Sequence, residues 1–256
     1  EIADGTTLRL RDRYWRCMVL WECDGLTWRR GGGSSSRSGT AQNHSKTIRQ
    51  IITIEPHGNY WLPALDRPLG LGKGAGSAQM GDDETVFSSE PVDGAKRFTV
   101  VSSTAPQRSN LSDSDRRAAL RTPQNISGHV ENLALSFRKS ADVPDRDVVE
   151  AALDYLRTEG FKYTLEPGTY GGNALEDFLF NRRLGFCEHF SAAFATLMRL
   201  AGVPARVVVG YVGGEDTGRG YLRVRQCDAH AWTEVWLKET GWTRVDPTAE
   251  LAPDRL

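Results

Sequence analysis

A thiol, an imidazole and a carboxylate follow one another through the C-terminal part of the chain, at Cys187, His230 and Asp246. Each has a distinctive local setting: G-F-C-E-H-F around the cysteine, D-A-H-A-W around the histidine and G-W-T-R-V-D-P-T around the aspartate. Together they are the inventory of a nucleophilic cysteine. The sulfur forms a covalent bond to a carbonyl carbon, the imidazole takes and returns a proton, and the carboxylate fixes the tautomer and supports the imidazolium. Taken singly, a buried cysteine is more often an inert small hydrophobe, and a lone histidine or aspartate is more often structural. Their combination, order and settings favour the catalytic reading.

The surrounding patterns say how such groups are held. Gly185 ends a loop, and Phe190, Ala193, Phe194, Leu197 and Ala201 recur at helical spacing until Gly202 and Pro204 stop the helix. Cys187 therefore stands at or just before a first helical turn. Unpaired backbone N–H groups and the positive end of the dipole there favour a thiolate, and the Cys187 amide is placed to stabilise an oxyanion. The dipole supplies only ~0.3–1 kcal/mol, so a neighbouring imidazolium is needed as well. Segments 205–211, 221–225, 230–237 and 242–245 read as strands, with 213–220 as a glycine-rich hairpin loop. In the third strand His230, Trp232, Glu234 and Trp236 share one face. An antiparallel fourth strand would bring Asp246 alongside His230. Glu234 lies four residues from His230, about 13 Å at ~3.3 Å per residue, and is assigned a structural role. His189, on a different helical face from Cys187, is assigned a structural or supporting one. A zinc site from Cys187, His189, Cys227 and His230 lacks ordinary ligand spacing, and no D-x-D-x-D-G run suggests calcium, so no metal and no cofactor are expected.

At these residues the chain resembles the transglutaminase-like superfamily. The resemblance rests on G-F-C-E-H-F-S-A-A-F-A-T-L-M-R-L-A-G-V-P-A-R-V-V-V-G-Y, D-A-H-A-W-T-E-V-W and G-W-T-R-V-D-P-T. It extends upstream through D-F-L-F-N-R-R and A-A-L-D-Y-L-R-T-E-G-F-K-Y-T-L-E-P. More weakly it includes Y-W-R-C-M-V-L-W-E-C-D-G-L-T-W and I-E-P-H-G-N-Y-W-L-P-A-L-D, which are similar to bacterial membrane-anchored members of the TgpA type. The resemblance implies an α+β, papain-like core: N-terminal helices, the nucleophile at a helix N-terminus, and an antiparallel sheet carrying histidine and aspartate. It implies Cys187 as nucleophile, His230 as base and Asp246 as orienter. It also implies a parent protein anchored in the inner membrane, with this portion in the periplasm. Cys227 departs from the pattern, where a small hydroxyl residue is expected; three residues from His230, it would face away from it in a regular strand. Cys17 and Cys23 depart too, where glycine or aromatic residues are expected.

Composition is that of an ordinary globular chain of 256 residues, with 39 % hydrophobic and 25 % charged residues. A formal net charge of −1 and the lack of a basic patch with interleaved aromatics argue against nucleic acid. No apolar run approaches the ~20 residues that span a bilayer, and the opening residues are not expected to act as a signal peptide. Of the seven tryptophans, Trp15, Trp21, Trp28 and Trp61 sit in strand-like runs and are read as core. Cys17 and Cys23 fall in what reads as one strand, about 20 Å apart at ~3.3 Å per residue, too far for a disulfide.

Three parts are expected. Residues 1–110 are strand-rich (L-R-L-R, Y-W-R-C-M-V-L-W, K-T-I-R-Q-I-I-T-I-E, R-F-T-V-V-S) and read as a small β-sandwich or barrel, interrupted by a Gly-Ser loop at 31–36. Residues 111–143 form a polar connection with one or two short helices. Residues 144–256 are the catalytic domain, opening with an amphipathic helix over 145–160 capped at Asp142 or Asp145.

The reading that follows is thioester-mediated acyl transfer: a glutamine carboxamide as donor, a primary amine as acceptor, protein or peptide substrates, and no nucleic acid. A cysteine peptidase or amidase acting on cell-envelope peptides uses the same triad, and a non-catalytic envelope-binding module is the rival of another class. Glu215 and Asp216 in the glycine-rich loop are candidates to attract a lysine acceptor. The Tyr170-Gly171-Gly172 run is a candidate flexible rim.

Overall fold

A computed structural model describes residues 12–31, 47–103 and 110–252. The expected L-R-L-R strand and residues 32–36 of the Gly-Ser loop lie outside the described residues. Ten strands come first: β1 (Tyr14–Leu20), β2 (Glu22–Asp24), β3 (Thr27–Arg29), β4 (Thr47–Ile54), β5 (Trp61–Leu62), β6 (Ala64–Leu65), β7 (Arg67–Leu71), β8 (Gln79–Met80), β9 (Val86–Phe87) and β10 (Lys96–Ser103). Helices α1 (Asp113–Ala119), α2 (Gly128–Phe137) and α3 (Asp145–Thr158) follow, then β11 (Lys162–Tyr163), α4 (Ala174–Glu176) with a π-helical continuation Asp177–Arg182, and β12 (Leu184–Gly185). The chain closes with α5 (Cys187–Leu200), β13 (Ala205–Val212), β14 (Glu215–Asp216), β15 (Leu222–Arg223), a 3-10 turn Gln226–Asp228, β16 (Ala229–Leu237), β17 (Gly241–Val245) and α6 (Pro247–Leu251).

Two compact units form, and neither is contiguous in sequence. The described residues of the first are 12–19, 47–103 and 209–230; those of the second are 20–31, 110–208 and 231–252.

In the first unit β10 is the central strand of an antiparallel sheet ordered β4-β10-β7. Alternation along β10 turns Phe98 and Val100 into a small core with Leu62, Val86 and Val92. A second three-stranded sheet is ordered β5-β9-β8. Strand β1 pairs antiparallel with β6, Trp15 opposite Leu65, and on its other side lies the second half of β13. Gly210 permits that approach, because a Cβ there would fall 1.9 Å from the Trp15 carbonyl oxygen. The Trp15 indole donates to the Gly213 carbonyl at 3.2 Å, and the ring packs with Ile48 and Leu65.

In the second unit helices cover strands around one large core. From Phe190 to Arg199 every residue of α5 is buried, and Phe190, Ala193, Phe194, Leu197 and Met198 are fully so. Its alanines and serine let neighbours approach closely; α2, α3 and α6 all pack against it. The amphipathic α3 presents Val148, Ala152, Leu153 and Leu156 to the same core. Its predicted carboxylate cap is not used. The N-cap is Pro144, without a side-chain hydrogen bond. Instead Arg138 donates to the carbonyls of Val143 (2.8 Å) and Ala201 (2.7 Å) and pairs with Asp145, tying the α3 start to the end of α5. Strands β16 and β17 form an antiparallel hairpin, Thr233 opposite Val245, and the first half of β13 neighbours β16. There the fully buried Arg206 guanidinium meets Glu234 at 2.7 Å and lies over the Trp242 ring at 4.1 Å.

Three local expectations change. The strand read over 221–225 shrinks to Leu222–Arg223. Cys17 and Cys23 lie in separate strands, broken at Trp21, whose N–H turns to the carbonyls of Arg29 and Arg30. Cys227 stands in the 3-10 turn, exposed, rather than in a strand facing away from His230. All four cysteines are free.

Candidate active site

Cys187 is the first residue of α5 and only 7 % exposed. Phe186 before it is extended (φ −120°, ψ −176°), and its carbonyl accepts from the N–H groups of His189 (2.9 Å) and Phe190 (3.3 Å). The Phe186 N–H donates to Nδ1 of His189 at 3.4 Å. The amides of Cys187 and Glu188 are therefore first-turn donors that helix geometry leaves without an intrahelical acceptor. His189 thus caps the helix from its third position, the reciprocal half of a capping box. Its ring sits among Tyr170, Phe178 and Phe186. Burial, and then the Arg182 charge, lower its pKa and keep the ring neutral, as an accepting Nδ1 requires.

Much of the neighbouring chain fixes this turn. Gly185 has no room for a side chain: a Cβ would lie 2.7 Å from Cβ of His189 and 3.0 Å from Phe178. The strand that carries it, β12, pairs in parallel with β11, and the Gly185 carbonyl accepts from Thr164 at 2.8 Å. Before it the π-helical stretch ends on Arg183, which adopts a left-handed φ of 54°. That costly conformation for a long side chain is held by the Arg183 guanidinium, which donates to the carbonyls of Glu159 and Leu179 and pairs with the Glu159 carboxylate at 3.3 Å. Arg182 lies 3.6 Å above the Tyr170 ring and donates to the carbonyls of Pro167 (3.0 Å) and Thr169 (2.9 Å). The Tyr170 hydroxyl donates to the Leu184 carbonyl. Tyr170 is consequently pinned and does not belong to a flexible rim; only Gly171 and Gly172 after it face open space.

Strand β16 carries His230, 5 % exposed, with the Tyr14 ring edge-on at 6.1 Å. The strand is fastened to α5 inside the second unit. Ser191 Oγ, one turn beyond Cys187, donates to the Ala231 carbonyl at 2.8 Å, and Thr233 Oγ1 donates to the Ser191 carbonyl at 3.0 Å. Both hydroxyls are buried. Asp246 follows β17 as the N-cap of α6, its Oδ1 accepting from Thr248 (3.0 Å) and Ala249 (3.4 Å). Continuing the β16–β17 register one step past Thr233–Val245 puts Asp246 opposite Trp232, two residues from His230 along β16. Asp246 is thereby fixed by a cap as well as by a hairpin, a second role that the sequence reading left out. Ser191 and Thr233 were also missed. Their signal is a hydroxyl four residues after the nucleophile in an otherwise apolar helix, and another three residues after the histidine.

Glu234 is structural, as its distance along the strand implied. Glu215 is not a free acidic lure: it pairs with Arg225 at 3.0 Å, and Asp216 accepts from the Gly218 amide at 2.9 Å. Of the other thiols, burial raises the pKa of Cys17 far above its ordinary value and also raises that of Cys23. Among the described residues no group of three or more His, Cys, Asp or Glu side chains is arranged to hold a metal ion.

Residues 110–247 match the profile of the transglutaminase-like superfamily, and residues 2–109 that of the TgpA N-terminal domain. A protein-glutamine gamma-glutamyltransferase of Pseudomonas aeruginosa is 35 % identical over 254 residues, covering 95 % of this chain and 36 % of the relative. The uncharacterized protein YebA of Bacillus subtilis is 30 % identical over 208 residues, 78 % of this chain and 27 % of the relative. The chain thus spans about a third of the length of these relatives. The crystal structure of the periplasmic domain of TgpA from P. aeruginosa, bound to ethylmercury, superposes with a TM-score of 0.90 at 33 % identity, covering 98 % of this chain and 89 % of that one. With that α+β fold and both profile matches, the chain belongs to the transglutaminase-like superfamily, with a TgpA-type N-terminal region.

Proposed function

We propose that this chain catalyses thiol-dependent acyl transfer on protein carboxamides, with Cys187 as nucleophile, His230 as general base and acid, and Asp246 as the group that orients His230. The observation that carries the proposal is Cys187 as the first residue of α5, beneath first-turn amides without intrahelical acceptors, within the matched family segment. The Ser191 and Thr233 bonds lend support, since they fasten the nucleophile helix to β16 just after His230.

In the reaction the Cys187 thiolate adds to the side-chain carboxamide carbon of a glutamine. The Cys187 amide, with a second donor from the first turn, stabilises the resulting oxyanion. The C–N bond then breaks, and the imidazolium of His230 gives its proton to the departing ammonia. A primary amine attacks the thioester and yields its proton to His230, the Cδ acyl carbon gains the new C–N bond, and the thiolate leaves. Water in place of the amine gives deamidation. The P. aeruginosa relative named a protein-glutamine gamma-glutamyltransferase favours a glutamine donor over backbone cleavage. The similarity to a periplasmic domain supports the same compartment for this chain, and the length of the relative supports a longer parent, whose membrane anchoring is part of the proposal. Peptidase or amidase action on envelope peptides is the second reading.

Incorporation of a fluorescent primary amine into casein, run beside a peptide-cleavage assay, tests the proposal. Amine incorporation lost in Cys187→Ala is the expected result. Cleavage without incorporation would replace transfer by proteolysis.

A further inference from the structure

A groove of about 950 Å³, lined by residues 50–57 and 219–226, opens within the first unit. That volume lies near the upper end of the roughly 300–1,000 Å³ of small-molecule sites, so the groove has room for an elongated ligand. Part of its lining is aromatic and held in place. The Asn59 N–H donates to Nδ1 of His57 at 3.1 Å, and the His57 ring lies 4.0 Å from Trp61 and within 6° of parallel. Tyr211 leans on Trp61, with centroids 6.3 Å apart and the planes at 48°. Its hydroxyl donates to Oε1 of Gln226 at 3.2 Å, which fixes that exposed amide by its oxygen and leaves it two N–H donors. From the 219–226 segment the Tyr221 ring, 41 % exposed, also lines the groove.

Charge in the groove is unevenly committed. Arg225 pairs with Glu215 at 3.0 Å, whereas the exposed Arg219 and Arg223 stand in no ion pair among the described residues. The lining holds one carboxylate, that of Glu55. These side chains together select a class of ligand. A pyranose ring has an apolar C–H face that can lie on an aromatic ring, and a rim of hydroxyls that both donate and accept. A carboxylate on the sugar matches the fork of a guanidinium. A neutral sugar would leave both arginines without a counter-charge, and a polyanion without rings would leave the aromatic faces uncovered.

We propose that this groove binds an acidic oligosaccharide. A sugar ring stacks on Tyr221 and packs against Trp61, hydroxyls bond to the Gln226 amide and the Glu55 carboxylate, and sugar carboxylates are held by Arg219 and Arg223. Side chains alone make these contacts, so no main-chain group of β4 is called on. The inference does not depend on the acyl-transfer chemistry, and its test uses Cys187→Ala protein so that turnover plays no part.

The probe is tetragalacturonate, titrated calorimetrically at low ionic strength, where screening is weak. Saturable one-to-one binding is expected. Its methyl ester keeps the rings and loses the charge; N-acetylated tetraglutamate amide keeps the charge and has no sugar ring. Each should bind at least tenfold more weakly than the uronate. The double variant Arg219→Gln, Arg223→Gln should also lose at least tenfold in affinity, and Tyr221→Ala at least threefold. All three positions are exposed, and thermal melts show whether the variants are folded. Absence of binding, a tetraglutamate affinity equal to that for the uronate, or parental affinity in either folded variant would overturn the proposal, and the comparison of the three ligands needs no variant of the groove.

Discussion

The turn that carries Cys187 and the groove of about 950 Å³ lined by residues 50–57 and 219–226 differ in how tightly they are filled. Around the cysteine, Gly185 leaves no space, His189 returns to cap the helix, Arg182 and Arg183 bind the preceding carbonyls, and Ser191 bolts the next turn to β16. In that groove, polar and charged side chains stand beside aromatic ones, and Tyr221 is 41 % exposed. The first arrangement suits a reacting atom, where an error of an ångström costs orders of magnitude in rate.

That contrast predicts how substitutions should sort. At the cysteine turn the effect should fall on rate and leave the fold alone. Cys187→Ala and His230→Ala should each lower amine incorporation by roughly 10³-fold or more, without additivity in the double variant. Iodoacetamide at pH 6–7 should label Cys187 far faster than the exposed Cys227, which is the internal control, and should leave the buried Cys17 untouched. Comparable labelling of Cys187 and Cys227 would mean that the helix terminus and His230 do not activate the sulfur.

Asp246 separates its two roles. Asparagine at this site still caps α6, so Asp246→Asn should melt close to the parent protein while losing about 10²–10⁴-fold in rate through the wrong imidazole tautomer. Asp246→Ala should add about 1 kcal/mol of destabilisation from the lost cap. A parental rate in the asparagine variant would assign the orienting role elsewhere.

Glu234 should behave in the reverse way. Its removal leaves the Arg206 guanidinium buried without its carboxylate, so Glu234→Ala should cost about 3–5 kcal/mol in urea unfolding with little effect on rate per folded molecule. Ser191→Ala should be smaller, about 0.5–1.5 kcal/mol, but accompanied by a measurable fall in kcat if the bolt holds the two halves of the site in register.

The smallest effect concerns pH. His189 has a lowered pKa in the folded protein, so the unfolded chain binds more protons once pH falls below about 6.5, and stability should decline from there downward. His189→Asn retains an acceptor for the Phe186 amide and cannot titrate. The fall in melting temperature between pH 7 and pH 5 should therefore be smaller in that variant than in the parent. Identical pH profiles would place the acid sensitivity in other groups.

Local patterns in the sequence were enough to specify α5, from its start at Cys187 to its stop before Gly202, because apolar spacing and terminal signals act over a few residues. The same holds for β13, β16 and β17, whose β-branched and aromatic runs are bounded by glycine and turn residues. The residues proposed for chemistry were identifiable for that reason, together with the structural role of Glu234. Pattern failed wherever a distant group supplied the missing interaction. Pro144 begins α3 because Arg138 holds the chain there, and Tyr170 is fixed because Arg182 lies across it. Cys17 and Cys23 part company because the Trp21 amide bonds to the far side of the β2–β3 hairpin. The gathering of residues 209–230 with the N-terminal strands into one compact unit, and with it the groove, has no local signature at all. Propensity and periodicity are decided between neighbours in sequence. Caps supplied from afar, buried ion pairs and grooves depend on which surfaces meet, and only the packing of the whole chain settles that.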